Sequence, residues 1–204
     1  LAASEDSQER GFTLRQIAQF EQIAREISNL LGYRPWFHQS NTSAVLNYPQ
    51  AHFDMVRTGI GLYGYANSPK ADQHLKPVAS LKSVISQIHH IKAGETVGYN
   101  RAFTAAVDQR TGTIPIGHAD GISRALGKGK GYVLINGQRA PIIGNVCMDM
   151  IMVDLNGVDC SEGDEVIIVG KDLPATSVAE LAQTISYETL TAISHRIPRV
   201  ICRK

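Results

Sequence analysis

The residues suited to chemistry in this 204-residue chain stand singly, without one dominating motif. Tyr99, in Gly98-Tyr99-Asn100-Arg101, carries a phenol that can give or take a proton if a nearby cation lowers its pKa from about 10. Standing alone, such a ring more often packs. His118-Ala119-Asp120-Gly121 sets an imidazole near a carboxylate, a pattern commoner in turns than in catalytic dyads. Arg57 ends an apolar run. A buried guanidinium stays charged, so it must meet a ligand or an acidic partner there. Directly after it, Gly59-Ile60-Gly61-Leu62-Tyr63-Gly64 fits the G-x-G-x-x-G dinucleotide pattern. That pattern needs a following helix and an acidic strand end about 20 residues on. Ala66-Asn67-Ser68-Pro69 breaks any helix at once, and no such acid follows. A second reading uses the same glycines differently. The last loops of a (β/α)8 barrel often cradle a phosphate with backbone N–H groups. The Thr42 hydroxyl and the Gly59 and Ile60 amides are such parts; ordinary caps and turns are the alternative.

Other classes find little support. No G-x-S-x-G, H-E-x-x-H or P-loop is present. His89 and His90, adjacent on a strand, would point to opposite faces, so no metal site is expected. Cys147, Cys160 and Cys202 are odd in number and lack C-x-x-C spacing, which fits a reducing cytoplasm. A net charge of +1 gives no electrostatic case for nucleic acid or an acidic membrane. No apolar run approaches the ~18 residues of a membrane helix. Leu1-Ala2-Ala3-Ser4 is no signal peptide, and a start on Leu is expected of a piece of something longer.

The elements that must position these residues come in two styles. Thr13 with Gln16 resembles a capping box, and Ile17, Phe20, Ile23, Ile27 and Leu30 make one helical face before Gly32. Trp36-Phe37-His38 and Phe53 to Val56 read as buried strands. Between them, Asn41-Thr42-Ser43 opens a short helix that Pro49 closes. This alternation is that of an α/β fold. From residue 78 to about 170, short β-branched runs follow: 84–91, 113–116, 132–135, 142–143, 148–155 and 165–169. Asn136-Gly137 and Asn156-Gly157 favour tight hairpins, so a mostly antiparallel β domain is expected. Cys147-Met148-Asp149-Met150 reads as strand, its methionines as core filler. Gly127-Lys128-Gly129-Lys130-Gly131 reads as a flexible basic hairpin. Ser177 with Glu180 is a second capping-box candidate, starting a helix that Pro198 breaks before a strand-like Val200-Ile201-Cys202.

Taken together, the motifs resemble the alanine racemases, fold-type III pyridoxal-phosphate enzymes. Residues 37–44 and Met55-Val56-Arg57-Thr58-Gly59-Ile60-Gly61-Leu62-Tyr63-Gly64 are similar to the family's later barrel strands. Val97-Gly98-Tyr99, Ile114-Pro115-Ile116-Gly117-His118-Ala119-Asp120-Gly121 and Gly144-Asn145-Val146-Cys147-Met148-Asp149 resemble its β domain. Ile185-Ser186-Tyr187-Glu188 and residues 193–199 resemble its closing segment. The likeness spans nearly everything after residue 11.

The resemblance implies an α/β plus β fold. Residues 1–77 would be the last strands and helices of a (β/α)8 barrel, and 78–204 a β-rich C-terminal domain. It implies pyridoxal 5'-phosphate as cofactor, interconversion of L- and D-alanine by two opposed bases, and supply of D-alanine for peptidoglycan. Thr42, Gly59, Ile60 and Tyr187 fall at its phosphate contacts. Arg57 falls at the arginine on the pyridine nitrogen, Tyr99 at the base for the L-enantiomer, and Met148 at a backbone contact to the substrate carboxylate. Tyr99 and Met148 would serve the barrel of a partner subunit, so a homodimer is implied.

Two departures stand out. His118 replaces a usual tyrosine near the site entrance, and the family's cofactor lysine has no counterpart here. Two other readings remain: a broader or serine-specific racemase, or a β-rich binding module using Lys128 and Lys130. From the missing lysine, the isolated 204-residue chain is expected not to racemise alanine, whereas the whole protein does. A racemisation assay on the isolated chain checks this, and measurable turnover would overturn it.

Overall fold

The computed structural model describes residues 1–66 and 68–202. The chain divides into two compact units, Leu1–Val78 and Ala79–Lys204.

The first unit opens with α1 (Arg10–Leu31). Its inner face buries Ile17 against Tyr48 and Ala51, with Leu1 and Phe53 alongside. Phe20 meets Phe37 edge-on at 6.1 Å and Phe53 at 5.0 Å. Gly32 ends the helix in the left-handed region, φ 71°, as expected. The start differs from the expected capping box. Thr13 is already inside the helix, its N–H bonded to Glu9 O at 3.0 Å. Its hydroxyl donates to Ala3 O (3.2 Å), and Gln16 Oε1 accepts from Ala2 N (3.1 Å). The pair therefore ties the preceding segment to α1.

The two strands expected here reduce to one parallel bridge between His38 and Met55. Asp54 N–H to Phe37 O (3.1 Å) and Arg57 N–H to Ser40 O (3.0 Å) flank it. Parallel ladders gain stability from neighbours on both sides, and among the described residues this pair has none. Trp36 is accordingly exposed. α2 (Thr42–Asn47) is capped as expected, Asn41 Oδ1 accepting from Ala44 N at 3.0 Å. A 3-10 turn, Gly59–Tyr63, and the short α3 (Pro69–Asp72) follow.

The second unit is built on a seven-stranded antiparallel sheet. Its strands are β1 (Leu81–Val84), β2 (Gln87–Ile91), β5 (Gln109–Ile114), β6 (Tyr132–Ile135), β7 (Gln138–Ile143), β8 (Ile151–Asp154) and β9 (Glu165–Val169). Strands β3 (Thr96–Val97) and β4 (Phe103–Thr104) form a separate hairpin. The strand order is β1-β9-β6-β7-β8-β5-β2. The run 84–91, expected as one strand, is thus two strands at opposite edges. Ile85 N–H donates to Asp164 O (3.0 Å), beside β9, and Ser86 N–H donates to Thr113 O (2.9 Å), in β5. Two consecutive residues thus bond beside β9 and in β5, the neighbours of the two edge strands, so the sheet curls and β1 runs into β2 at that corner. Ile85, Ile114, Val133, Ile151 and Val166 fill the interior.

Other boundaries also shift. Asn136-Gly137 closes β6 to β7 with φ 50° and 76°, as expected. Asn156-Gly157 instead follows β8 in a loop to a strand that is not its neighbour. Residues 147–150 are a turn closed by Cys147 N–H to Met150 O (3.0 Å), not a strand. Met148 is 59% exposed, so it is not core filler. The 127–131 segment is no free hairpin: Lys128 N–H bonds to Gly144 O and Gly129 N–H to Ile142 O. Near the C-terminus, two helices replace the single expected one, α4 (Ala175–Leu181) and α5 (Ser186–Thr191). Pro174, with φ −66°, takes the N-cap position directly before Ala175 without a side-chain capping bond, leaving Ser177 as the third residue of the helix. Val200 and Ile201 are exposed and form no strand.

Ile114 is fully buried in β5, and truncating it leaves a cavity the sheet cannot close. Ile114→Ala is expected to cost about 2–5 kcal/mol, read from the urea midpoint of the second unit's transition. A loss below about 1 kcal/mol would contradict this placement of the core.

Candidate active site

Four candidate residues of the first unit gather around one turn. Thr42, at the start of α2, is buried. Its hydroxyl accepts from Gly61 N–H at 3.1 Å and donates to Thr58 O. A Cβ on Gly61 would lie 3.0 Å from Thr42 Cγ2, so the threonine and the turn interlock. Gly59 and Ile60 open that turn, where the first N–H groups have no partner within a helix. Neither amide donates to an acceptor among the described residues.

Arg57 Nη1 lies 2.8 Å from His38 Nδ1. A guanidinium can only donate, so Nδ1 is the acceptor and the ring's hydrogen sits on Nε2. Of the two readings, a ligand or an acidic partner, the carboxylate partner is not found, and neither is the expected burial. Arg57 is exposed, and the nearby Asp54 pairs with Arg34 at 2.8 Å. That bond, with one from Phe37 N–H, lowers the Asp54 pKa. His38 went unassigned in the sequence, because only the parallel bridge between His38 and Met55 brings it beside Arg57. Two uncommitted amides near a guanidinium suit an anion such as a phosphate.

In the second unit, Tyr99 and Met148 line one cavity of roughly 610 Å³. Gly98, Cys147, Asp149 and Met152 share its wall. The β3–β4 hairpin folds back over the sheet, so that a Cβ on Gly98 would meet Met152 Cε at 3.2 Å. Tyr99 begins a 3-10 turn in which Asn100 and Arg101 have φ of 58° and 50°. Asn145 Nδ2 donates to Tyr99 O at 3.2 Å and holds the turn. Tyr99 is 74% exposed, which removes the packed-aromatic reading.

The Met148 turn is held from behind. His118 N–H donates to Cys147 O (2.9 Å) and Ala119 N–H to Met148 O (3.0 Å). A Cβ on Gly117 would sit 2.3 Å from Met148 O, so only glycine permits this approach. The Met148 N–H itself has no acceptor among the described residues.

Asp120 is buried and does not face His118. Its Oδ2 accepts from Gly117 N–H at 2.8 Å, and its Oδ1 accepts from Arg196 Nε at 2.6 Å. Arg196 Nη2 also donates to Asp149 Oδ1 at 2.6 Å. The Arg196 bond holds the Asp120 carboxyl below the ordinary range, against the opposing effect of burial. His118 instead lines a second cavity, roughly 450 Å³, with Arg124 and Glu188. Tyr187 lies on α5, half-buried, its carbonyl accepting from Thr191 Oγ1 at 2.8 Å. Among the described residues no three His, Cys, Asp or Glu side chains cluster as metal ligands. No described helix is long and apolar enough to cross a membrane.

A partial α/β barrel followed by a curled antiparallel β domain is also the architecture of the solved alanine racemases that the chain matches. The family model "Alanine racemase, C-terminal domain" matches residues 78–201, and "Alanine racemase, N-terminal domain" matches 1–67. The chain belongs to the alanine racemase family. The alanine racemase of Cutibacterium acnes is 41% identical over 194 residues, covering 92% of this chain and 52% of that protein. That of Desulfovibrio desulfuricans is 40% identical over 205 residues, covering 97% and 54%. An alanine racemase from Bacillus anthracis with bound L-Ala-P superposes with TM-score 0.88 at 31% identity, covering 100% of this chain and 54% of that one. One from Bartonella henselae with covalently bound pyridoxal phosphate gives 0.82 at 32%, covering 98% and 54%. The chain therefore spans about half the length of the relatives it matches.

A depressed Asp120 pKa carries a pH signature. Its contribution to stability is present above the unfolded carboxyl value near 4 and is lost as pH falls through the lower folded value. Asp120→Asn is expected to lower stability at neutral pH and to flatten the loss on acidification below about pH 4. Urea midpoints measured across that range check it. Parallel curves for the two proteins would show that Asp120 is not the group responsible.

Proposed function

We propose that this chain is the C-terminal half of a pyridoxal 5'-phosphate-dependent racemase that interconverts L- and D-alanine. The observation that carries the reading is the cavity of the second unit, where an exposed phenol and an uncommitted main-chain donor stand on one wall. The relatives' names and the ligands of the Bacillus and Bartonella proteins supply the substrate and cofactor. On this reading residues 1–77 would be the closing elements of a (β/α)8 barrel and 78–204 the β domain, a reading supported by the chain's division into two compact units near residue 78.

When bound, the cofactor supplies an electron sink that makes the substrate's α-hydrogen acidic. The Gly59 and Ile60 amides would hold its phosphate. Arg57 donates to its ring nitrogen and, being permanently charged, offers that nitrogen no proton to take up. His38, accepting from Arg57 at 2.8 Å, fixes the guanidinium's orientation. Thr42 has a single hydroxyl hydrogen, which Thr58 O now takes, so it reaches phosphate only by releasing that carbonyl. Its constant role is to brace the Gly59–Tyr63 turn. The Met148 N–H orients the substrate carboxylate, and the Tyr99 phenol gives and takes the α-proton on one face. The opposing base is the family's lysine, which lies outside this chain. Tyr99 and Met148 serve the barrel of a second copy, making a homodimer the working unit. The free thiols Cys147, Cys160 and Cys202 suit a cytoplasmic setting, where D-alanine would be made for peptidoglycan.

The test uses the whole protein. It is expected to show a visible cofactor band abolished by borohydride. Tyr99→Phe is expected to keep that band while slowing α-proton exchange from L-alanine by about 10²–10⁴-fold. A protein without the band, or a Tyr99→Phe variant that exchanges at the parent rate, would falsify the reading.

A further inference from the structure

Three segments far apart in sequence meet behind the Met148 turn: 117–121, 147–150 and 192–199. The first two are joined through backbone, by His118 N–H to Cys147 O and Ala119 N–H to Met148 O. The third is shaped by Arg199, whose guanidinium donates to the Ser194, Ile197 and Ile193 carbonyls. Ser194 N–H then donates to Asp120 O at 3.1 Å, docking that segment on the first. A Cβ on Gly121 would lie 2.4 Å from Ala192 O, so the two backbones are in close contact.

One side chain spans all three. Arg196 Nε reaches buried Asp120, and Arg196 Nη2 reaches Asp149, each at 2.6 Å. The two carboxylates differ in kind. Asp120 is buried, with its second oxygen on Gly117 N–H, so it anchors the guanidinium. The Asp149 side chain is 55% exposed and has no partner but Arg196 among the described residues. An exposed ion pair adds little to global stability. Its effect is local: it fixes the residue next to Met148 against a rigid anchor.

We propose that Arg196 is a positioning residue for the substrate carboxylate, holding the 147–150 turn through Asp149 so that the Met148 N–H keeps its place on the cavity wall. The inference rests on the racemase reading above. A displaced amide weakens an interaction made to bound substrate, so KM changes more than kcat. Arginine suits this place because its planar fork meets two carboxylates at once, which the single ammonium of lysine does less well in that geometry.

The test uses the whole cofactor-loaded protein with Asp149→Ala, Arg196→Lys and Arg196→Met. Asp149→Ala leaves the buried Asp120 pair intact, so it keeps the test open if Arg196→Met does not fold. The expected result is a rise of about ten-fold in KM for L-alanine in Asp149→Ala, with kcat within about three-fold and an unchanged thermal midpoint. Arg196→Lys should fall between this variant and the parent, and Arg196→Met should be at least as impaired as Asp149→Ala. Amide hydrogen exchange gives a readout independent of activity: it should quicken at 147–150 and not in β5 or β8. Parent-like KM and exchange in Asp149→Ala, alongside a parent that turns over alanine, overturn the inference alone. A loss of kcat with stability and faster exchange throughout the sheet also overturns it, in favour of a purely structural role. A parent protein without alanine turnover overturns the racemase reading and this inference with it.

Discussion

The second unit depends on a seam two residues long. Because Ile85 bonds beside β9 and Ser86 bonds to β5, the sheet has no freedom to lie flat. Curling joins the two edge strands at one corner, although β1 and β2 do not pair with each other. It also gives the sheet an inside and an outside. Buried isoleucines and valines fill the inside, and the outer face of β2, β5 and β8 is left for function. His89, Thr111, Thr113 and Met152 form the cavity floor on those strands. The β3–β4 hairpin brings Tyr99 over it from the connection between β2 and β5, while the 147–150 turn enters from the start of β8. A cavity assembled from two connections on one stiff floor can be precise without being deep.

Much of that precision is in the backbone. Gly117 lets two chains touch where any Cβ would collide with Met148 O. The amides of His118 and Ala119 consume the carbonyls of Cys147 and Met148, leaving the Met148 N–H as the uncommitted group. The same logic governs the first unit. There Thr42 takes up Gly61 N–H and Thr58 O, and the amides of Gly59 and Ile60 remain uncommitted. Both places use side chains to set what the main chain presents.

The sequence reading was strongest where a local rule acts alone. Gly32 ends α1, Asn41 caps α2, and Asn136-Gly137 turns β6 into β7, each from a conformational preference carried by one or two residues. It failed where distant partners decide. Nothing local in residues 84–91 says that a chain passing through Ile85-Ser86 changes edges, because the sheet's closure imposes it. The Thr13–Gln16 and Ser177–Glu180 pairs had capping chemistry, but helices began earlier, and their side chains found other surroundings. Residues 147–150 alternate like a strand, yet the bonds from His118 and Ala119 hold them as a turn. The resemblance to known racemases supplied the candidate site. It did not supply His38 beside Arg57 or Arg196 between Asp120 and Asp149, because both pairings cross long stretches of chain.

The interlock between Thr42 and Gly61 has a consequence for how these positions can vary. The space a side chain at 61 would need is the space the Thr42 methyl fills, at 3.0 Å from the missing Cβ. Gly61 does not adopt a positive φ, so its own backbone would accept alanine. What crowds alanine is its neighbour. A serine at 42 would keep the hydroxyl and vacate the methyl's volume, so each position sets what the other can hold. Substitutions there are non-additive: an alanine at 61 that crowds threonine at 42 is better tolerated beside serine.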